Sequence, residues 1–184
     1  MKSLLLEEWQ AFLRYEDLPG DDPPFVYLSG AMLPSHPTFA AIVAESPALG
    51  KHRSIFIDLL GSGFSDAPEA FGYSLEDHAT TVATVLDDLY LKGCGMVGYS
   101  MGGAVAITLA AHRPDLVSRL ALMEAPLDPR TPDDEGLGPQ IARQTETQFC
   151  EEGFQALMES FHQAGIKGSP SMATLVGLLQ VSAP

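Results

Sequence analysis

The sequence is poor in cysteine and in positive charge. Cys94 and Cys150 are the two cysteines among 184 residues, which excludes a disulfide framework and a cysteine-rich metal cluster. Lysine and arginine number 10 against 24 aspartates and glutamates, so the formal net charge is -14. Such a surface repels nucleic acid and anionic lipid. We therefore expect neither a nucleic-acid partner nor a membrane partner.

Long apolar runs are also missing. No stretch is long enough to span a bilayer. The leucine run Leu4–Leu6 is followed at once by Glu7 and Glu8, which excludes the apolar part of a secretory leader there. A cytoplasmic location is the resulting expectation. The composition itself, 46% hydrophobic and 18% charged, is that of a globular domain long enough to bury a core.

Four short apolar runs predict the strands of a sheet. Each is apolar on both faces, as the strands of a parallel sheet are when helices cover both sides. The runs are Phe25–Leu28, Ile55–Ile57, Gly95–Val97 and Leu120–Met123. Residues 4–16 predict a further short pair of strands, which ends before a turn rich in proline and aspartate.

Helical patterns lie between these runs. Ser74–Asp77 resembles a capping box, and the apolar positions from His78 to Leu89 repeat at helical spacing. Residues 101–112 are almost wholly apolar or glycine, which predicts a helix that is buried on all sides and that Pro114 ends. Alternating strands and helices with right-handed crossovers predict a doubly wound, mostly parallel α/β sheet.

The character of the sequence changes after the last apolar run. Residues 127–138 are a polar linker rich in proline and aspartate, and residues 139–184 have helical periodicity with no predicted strand. One helix is predicted over 154–165, and another begins at Ser171. The predicted organisation is a core over 1–126, this linker and a helical segment.

The sequence Gly98-Tyr99-Ser100-Met101-Gly102 is a Gly-x-Ser-x-Gly motif between a predicted strand and a predicted helix. In that setting the serine lies on a sharp, strained turn, and side chains at the two flanking glycines would collide with the neighbouring strand and helix. We predict that Ser100 is a catalytic nucleophile. The alternative is a tight turn with an ordinary serine.

Two backbone donors are expected to bind the oxyanion. Met101 N–H is one, because free N–H groups at the start of a helix face negative charge. The other is expected from the loop after Phe25–Leu28. We assign it to Ala31 N–H, with Gly30 giving the backbone its close approach.

Four stretches together resemble the cap-bearing α/β-hydrolase superfamily over residues 10–165. They are Phe25–Gly30, Ile57–Asp66, Val97–Gly103, and Arg113–Val117 with Leu120–Glu124. The resemblance implies the α/β-hydrolase fold, a helical cap in residues 139–184 and a triad in the chain order serine, acid, histidine. Many relatives have His-Gly in the oxyanion loop, where this chain has Ser29-Gly30. The donor is a backbone N–H, so this change bears on how the loop is held.

In some members of the superfamily that the chain resembles, the acid follows the strand after the Gly-x-Ser-x-Gly turn, and Glu124 is the candidate there. The family's other usual acid position is expected later than this sequence extends. An ordinary carboxylate at a strand end is the alternative. Four histidines precede the acid and are excluded by chain order: His36, His52, His78 and His112. His36 stays a weak candidate because it lies in the oxyanion loop. His162 follows Glu124, but it lies on a predicted cap helix, where packing or exposure is the simpler interpretation.

We therefore expect the chain to stop before the catalytic histidine and the sheet to be incomplete at its C-terminal side. The strand 120–123 would then be an exposed edge. Exposed edges pair readily with other strands, so a second copy of the chain or a complementing fragment is the partner expected there.

The predicted function is hydrolysis of a small or medium apolar ester through a Ser100 acyl-enzyme, with cap residues Phe149, Phe154 and Met158 as apolar walls. Without a late histidine the chain alone is expected to be nearly inert. The alternatives are a non-catalytic relative that binds a ligand or partner, and an acyltransferase or perhydrolase that uses the same serine. No cofactor or metal is expected, since Gly61-Ser62-Gly63 lacks the lysine of a phosphate-binding loop.

Overall fold

The computed structural model describes residues 1–128, residue 133 and residues 136–166. The chain divides into two compact units, Met1–Ala125 and one drawn from Pro126–Gln180. The helix predicted to begin at Ser171 lies outside the described residues, as does most of the linker's centre.

The first unit is built on a six-stranded sheet. The strands are β1 (Lys2–Leu6), β2 (Ala11–Leu18), β3 (Asp22–Leu28), β4 (His52–Ile57), β5 (Cys94–Tyr99) and β6 (Val117–Met123). Their order across the sheet is β1-β2-β4-β3-β5-β6. The pairs β1–β2 and β2–β4 are antiparallel, and the pairs β4–β3, β3–β5 and β5–β6 are parallel. The predicted strand pair and the four predicted parallel strands are thus confirmed, and the fold class is α/β.

Helices connect the parallel strands and continue into the second unit. They are α1 (Ser35–Glu45), α2 (Leu75–Asp88), α3 (Met101–His112), α4 (Leu137–Ala142), α5 (Glu146–Gln148) and α6 (Phe154–Ile166). A single turn of 3-10 helix, Leu49–Lys51, leads into β4, and a π-helical turn, Phe149–Gly153, joins α5 to α6. The helix predicted over 154–165 is confirmed as α6.

The capping box predicted at the start of α2 is present. The Ser74 hydroxyl accepts a hydrogen bond from Asp77 N–H at 3.1 Å, and the Asp77 carboxylate accepts one from Ser74 N–H at 3.2 Å. These bonds satisfy backbone donors that a helix start otherwise leaves unpaired. The capping box in the sequence therefore predicts where α2 begins.

Apolar side chains form two clusters in the first unit. The larger includes Leu28, Ile57 and Met96 together with buried residues of α2 and α3. The smaller is Tyr27, Phe39, Val43 and Phe56, between β3, β4 and α1. Alternate residues of one strand thus face different clusters, as strand geometry requires.

The order of the strands reverses between β3 and β5. From β3 the chain crosses to β4 on one side, and from β4 it returns to β5 on the other side of β3. Such a reversal leaves a crevice beyond the carboxyl ends of the two strands, where open α/β sheets bind their ligands.

The prediction that α3 is buried on all sides is wrong for its second half. Gly102–Ala106 and Leu109 are buried, whereas Ile107, Thr108 and Ala110 are half-buried and His112 is exposed. The helix packs against α2 and against the strands β3, β5 and β6. Its last two residues, Ala111 and His112, are exposed.

The edge strand β6 is exposed as predicted for the strand 120–123. Leu120 and Leu122 are each 39% exposed and Met123 is 41% exposed. Among the described residues β5 is the one neighbour of β6. An apolar parallel strand with one free edge is unusual, because such strands are normally covered on both faces.

The described part of the chain contains no helix with the length and apolar content needed to cross a membrane. It also contains no group of three or more His, Cys, Asp and Glu side chains arranged to hold a metal ion. Cys94 begins β5 and is buried, and this burial raises the pKa of its thiol.

Candidate active site

Ser100 lies on a strained turn between β5 and α3. Its φ of 51° and ψ of -121° are in a region that residues other than glycine rarely adopt. A Cβ at Gly98 would lie 2.5 Å from Gly103 Cα, and a Cβ at Gly102 would lie 2.3 Å from Leu28 O. Both distances are far inside van der Waals contact, so the two flanking glycines are required where the motif has them.

The start of α3 directs backbone donors at this turn. Ser100 O accepts from Gly103 N–H at 2.9 Å and from Ala104 N–H at 3.3 Å. Met101 N–H precedes these donors and has no acceptor among the described residues. A free N–H at the positive end of a helix is suited to an anion, which supports the oxyanion role predicted for Met101.

The loop after β3 lies against Ser100. A Cβ at Gly30 would lie 3.3 Å from Ser100 Cβ, so the loop backbone approaches the serine as closely as glycine permits. Leu33 N–H donates to Gly30 O at 3.2 Å, and Met32 has a φ of 64°, as at the third position of a type II turn. Ala31 is exposed on this turn, and its N–H has no acceptor among the described residues.

Two buried serines hold the ends of this loop, and the sequence analysis did not assign them a role. Ser29 N–H donates to Ser35 Oγ at 3.0 Å, and Ser35 Oγ donates to Ile57 O at 2.6 Å. Ser29 Oγ donates to Leu33 O. Both serines are at most 1% exposed. In this chain, with Ser29-Gly30 in place of His-Gly, serine hydroxyl groups thus hold the loop.

Asp58 connects the loop after β4 with the loop after β3. Its carboxylate accepts from Ser35 N–H at 2.6 Å and from Phe64 N–H at 2.9 Å. Burial raises the pKa of the Asp58 carboxyl, and the two backbone donors offset part of that rise. A Cβ at Gly63 would lie 2.3 Å from Asp58 Oδ2, so this glycine also is required by packing. The sequence signal for this contact is the motif Asp-x-x-Gly-x-Gly-x-Ser over residues 58–65, which contains both Asp58 and Gly63.

Glu124 follows β6 and has a φ of 50°. It is exposed, while Tyr99 at the end of β5 is half-buried. The pKa of Tyr99 is raised, chiefly by burial and further by the charge of the Glu124 carboxylate and a hydrogen bond with it. The candidate acid Glu124 therefore interacts with Tyr99, the residue directly before Ser100.

The histidines of the first unit do not hydrogen-bond Ser100. The His36 ring lies edge-on to Phe56 at 5.0 Å, and His52 Nδ1 is 2.6 Å from Pro23 O. His78 is buried in α2, where burial lowers the pKa of its imidazole and favours the neutral form. His112 ends α3 and is exposed.

The second unit contains the weak candidate base His162 and the three residues predicted to form apolar walls. His162 is exposed on α6, and Phe149, Phe154 and Met158 are half-buried. The rings of Phe149 and Phe154 meet edge to face at 6.2 Å. A cleft in this unit is lined by both polar and apolar residues of α4, the π-helical turn and α6.

Comparison with known proteins gives a consistent result. The sequence pattern of the alpha/beta hydrolase fold matches residues 23–164. An esterase of Mycobacterium tuberculosis is 32% identical over 166 residues, which are 90% of this chain and 48% of the esterase. A 2-hydroxy-6-oxo-2,4-heptadienoate hydrolase of Pseudomonas putida is 38% identical over 80 residues, or 43% of this chain and 29% of that enzyme.

Solved structures agree. A thermophilic esterase of Thermogutta terrifontis superposes with a TM-score of 0.78 and 20% identity, covering 97% of this chain and 66% of that structure. A meta-cleavage product hydrolase of Pseudomonas fluorescens superposes with a TM-score of 0.58 and 30% identity, covering 68% and 45%. The chain matches less than half the length of each of these two curated relatives. With the fold, the glycine-flanked turn and the matched pattern in agreement, the chain belongs to the alpha/beta hydrolase fold family.

Proposed function

We propose that Ser100 is the nucleophile of a hydrolase that cleaves carboxylic esters through an acyl-enzyme. The observation that carries the proposal is the strained Ser100 at the start of α3 with the Gly30 loop against it. In this geometry the Ser100 hydroxyl makes no hydrogen bond to the start of α3. The N–H groups of Ala31 and Met101 have no acceptor among the described residues. Nucleophile and oxyanion donors are the parts that acyl transfer requires.

In the proposed reaction, Ser100 Oγ attacks the ester carbonyl carbon and gives its proton to a base. The carbonyl oxygen becomes an oxyanion that accepts hydrogen bonds from Ala31 N–H and Met101 N–H. Collapse of this intermediate breaks the bond to the leaving alcohol, which takes the proton from the base. Water then attacks the acyl group by the same route and restores Ser100.

The base is proposed to come from a segment that pairs with the free edge of β6. No histidine of the Met1–Ala125 unit hydrogen-bonds Ser100, while Leu120 and Leu122 leave an apolar edge open beside Glu124. Glu124 is proposed as the acid that would orient this base. On this account the 184-residue chain alone retains only the rate that the oxyanion donors and binding supply.

The substrate is proposed to be a small or medium apolar ester. The similarity to a mycobacterial esterase over 90% of this chain supports an ester as the reacting bond. A series of p-nitrophenyl esters from acetate to decanoate measures the preferred acyl length, and a preference for charged acyl groups would contradict this part of the proposal.

The test begins with the native protein, whose intact mass shows whether a longer chain carries these residues. This native protein is mixed briefly with p-nitrophenyl butyrate, quenched in acid and digested. Butyrylation of the peptide that contains Ser100 is the expected result, and Ser100→Ala is expected to abolish it. Equal turnover in Ser100→Ala, or an acyl group on another residue, would contradict the proposal. Ser54→Ala is the matched control, because Ser54 is a buried serine within β4 and outside the turn that holds Ser100.

A second candidate is a non-catalytic relative that binds a ligand in the same crevice. It is favoured by one observation: Ser100 Oγ has no hydrogen-bond partner among the described residues. In this case a fluorophosphonate probe leaves the native protein unlabelled, and ligand binding survives Ser100→Ala. Labelling at Ser100 excludes it.

A further inference from the structure

The loop 29–35 is fixed at both ends by buried hydroxyl groups. Its first residue, Ser29, donates its backbone N–H to Ser35 Oγ at 3.0 Å, so the ends of the loop are tied directly to one another. The middle is held by Ser62, whose Oγ accepts from Met32 N–H at 2.9 Å. Ser29, Ser35 and Ser62 are each at most 4% exposed.

The protons of these hydroxyl groups can be assigned by counting. Each serine has one O–H to donate. Ser35 Oγ lies 2.6 Å from Ile57 O and 3.1 Å from Ser29 Oγ, so its proton goes to the nearer carbonyl. The Ser29 proton goes to Leu33 O. In this assignment each hydroxyl proton is used once.

The same residues connect the loop to β4. Ser35 N–H donates to the Asp58 carboxylate at 2.6 Å, and Ser35 Oγ donates to Ile57 O, the last residue of β4. Asp58 also accepts from Phe64 N–H at 2.9 Å. Ser35 therefore joins the loop to a central strand and to the loop that follows that strand.

We propose that Ser35 is a positioning residue for the oxyanion hole, and that Ser29, Ser35 and Asp58 form a latch that holds the Ala31 N–H donor in place. The proposal rests on the proposed function, because it takes the loop 29–33 as one half of the oxyanion hole. None of the hydrogen bonds of the latch goes to Ser100, and in the proposed reaction the latch contributes no atom. It acts through the backbone of Gly30 and Ala31.

The physical reason is preorganisation. Oxyanion donors stabilise a transition state because they are already aimed at the developing charge and do not reorganise. Met32 holds a left-handed conformation with a φ of 64°, which an unconstrained loop would not keep. Without the Ser35 hydroxyl, Ser29 N–H and Ile57 O lose their buried partner, and the turn that presents Ala31 is free to relax.

The first experiment measures amide hydrogen exchange by NMR in the 184-residue chain, comparing wild type, Ser35→Ala and Ser54→Ala. Ser54 is a matched control, since it is 2% exposed and its hydroxyl donates to His52 O at 3.3 Å, at the other end of β4. We expect the amides of Ser29, Met32 and Leu33 to exchange at least about tenfold faster in Ser35→Ala only. Ser62→Ala is expected to accelerate Met32 alone.

The second experiment measures binding of butylboronic acid and of butanol. Ser100 Oγ bonds to the trigonal boron and releases its proton to solvent, which gives a tetrahedral anion with an oxygen in the oxyanion hole. Butanol occupies the crevice without such an oxygen. We expect Ser35→Ala to weaken boronate binding about tenfold and leave butanol binding unchanged, since only the boronate uses the held donor.

The outcomes separate the latch from the nucleophile. Boronate binding that is unchanged in Ser100→Ala contradicts the proposed function, and amide exchange, which needs no reaction at Ser100, then decides the latch by itself. Exchange of the loop amides that is equal in Ser35→Ala and Ser54→Ala overturns the latch. Equal weakening of boronate and butanol also overturns it, because a general loss of structure affects both ligands.

Discussion

The sheet is more fully buried on one side of β5 than on the other. On one side lie β3, the loop after it and β4, where Leu28 and Ile57 are 0% exposed and the loop is held by buried hydroxyl groups. On the other side lies β6, where Leu122 is 39% exposed. We refer to these as the closed side and the open side. The proposed nucleophile Ser100 and the proposed oxyanion donors belong to the closed side, whereas the acid candidate Glu124 lies on the open side.

This difference teaches that the parts of a catalytic site depend on different parts of the fold. The proposed nucleophile and the loop after β3 are positioned by the strands β3 and β5 and by the start of the helix α3. The proposed acid and base depend on β6 and on what pairs with it.

The largest effect is expected at the contact between α3 and β3. A Cβ at Gly102 would lie 2.3 Å from Leu28 O and 2.4 Å from Ser29 O. These are backbone atoms of the closed side, which cannot move aside as a flexible side chain can, so Gly102→Ala is expected to lower the free energy of unfolding by at least about 3 kcal/mol. Urea unfolding followed by circular dichroism measures it. Gly138→Ala is the control, because nothing lies within 4 Å of a Cβ there, and stability as high as wild type in Gly102→Ala would contradict the packing.

A pair of leucine substitutions compares the two sides directly. Leu28→Ala removes a fully buried side chain from β3 and is expected to cost about 3 kcal/mol in the free energy of unfolding. Leu122→Ala on β6 is expected to cost less than about 1 kcal/mol, because the side chain is already partly exposed. Equal losses in urea unfolding would show that the open side is covered in solution.

The ion pair between β2 and β4 adds a smaller, pH-dependent term. Hydrogen bonds from Arg53 first and then Lys2 lower the pKa of Asp17 from 3.8 to about 2. Its folded pKa lies below the unfolded value, so the stabilisation is complete above pH 3.8 and is lost as the pH falls towards 2. Asp17→Asn is expected to cost on the order of 1–2 kcal/mol at neutral pH.

Thermal unfolding at several pH values checks this ion pair. The stability difference between wild type and Asp17→Asn should shrink between pH 4 and pH 2, a window set by the two pKa values. Asp115→Asn is the control. Asp115 pairs with Arg113 on the surface and is expected to show a much smaller difference. A constant difference across the pH range would contradict the assignment.

The smallest effect on stability is expected at Glu124. Glu124→Gln removes a charge next to Tyr99 on the open side and should leave the free energy of unfolding unchanged within about 0.5 kcal/mol. The pKa of Tyr99, which burial and the Glu124 carboxylate both raise, should fall. A pH titration of the Tyr99 ring carbon by NMR reports it, and an unchanged pKa would show that the two side chains do not interact.

The sequence predicts the closed side well where one residue type has one physical role. Gly98 and Gly102 mark the strained turn, since backbone atoms occupy the space that a Cβ would need. Ser74 and Asp77 mark the start of α2 by a reciprocal pair of hydrogen bonds. In both cases the signal is local, so a single short pattern contains it.

The sequence does not predict features that depend on distant partners. The sequence analysis contains no prediction of helix α1. Its buried positions Ser35, Phe39 and Val43 are spaced four apart, as on one face of a helix, but the first of them is polar and so does not count toward an apolar pattern. The role of Ser35 depends on Ile57 and Asp58, which are 22 and 23 residues away. The exposure of the second half of α3 depends on which other elements pack against it. The apolar sequence of the helix itself does not indicate which elements those are.

The most direct test of the account is ester turnover by the purified 184-residue chain. Hydrolysis of p-nitrophenyl butyrate is measured beside the Thermogutta terrifontis esterase, with Ser100→Ala as the control. The account predicts a rate lower by several powers of ten than that of the esterase, because the proposed mechanism assigns the base to a segment that pairs with β6 and not to the closed side. Turnover as fast as that of the esterase, lost in Ser100→Ala, would contradict it and place the base within these residues.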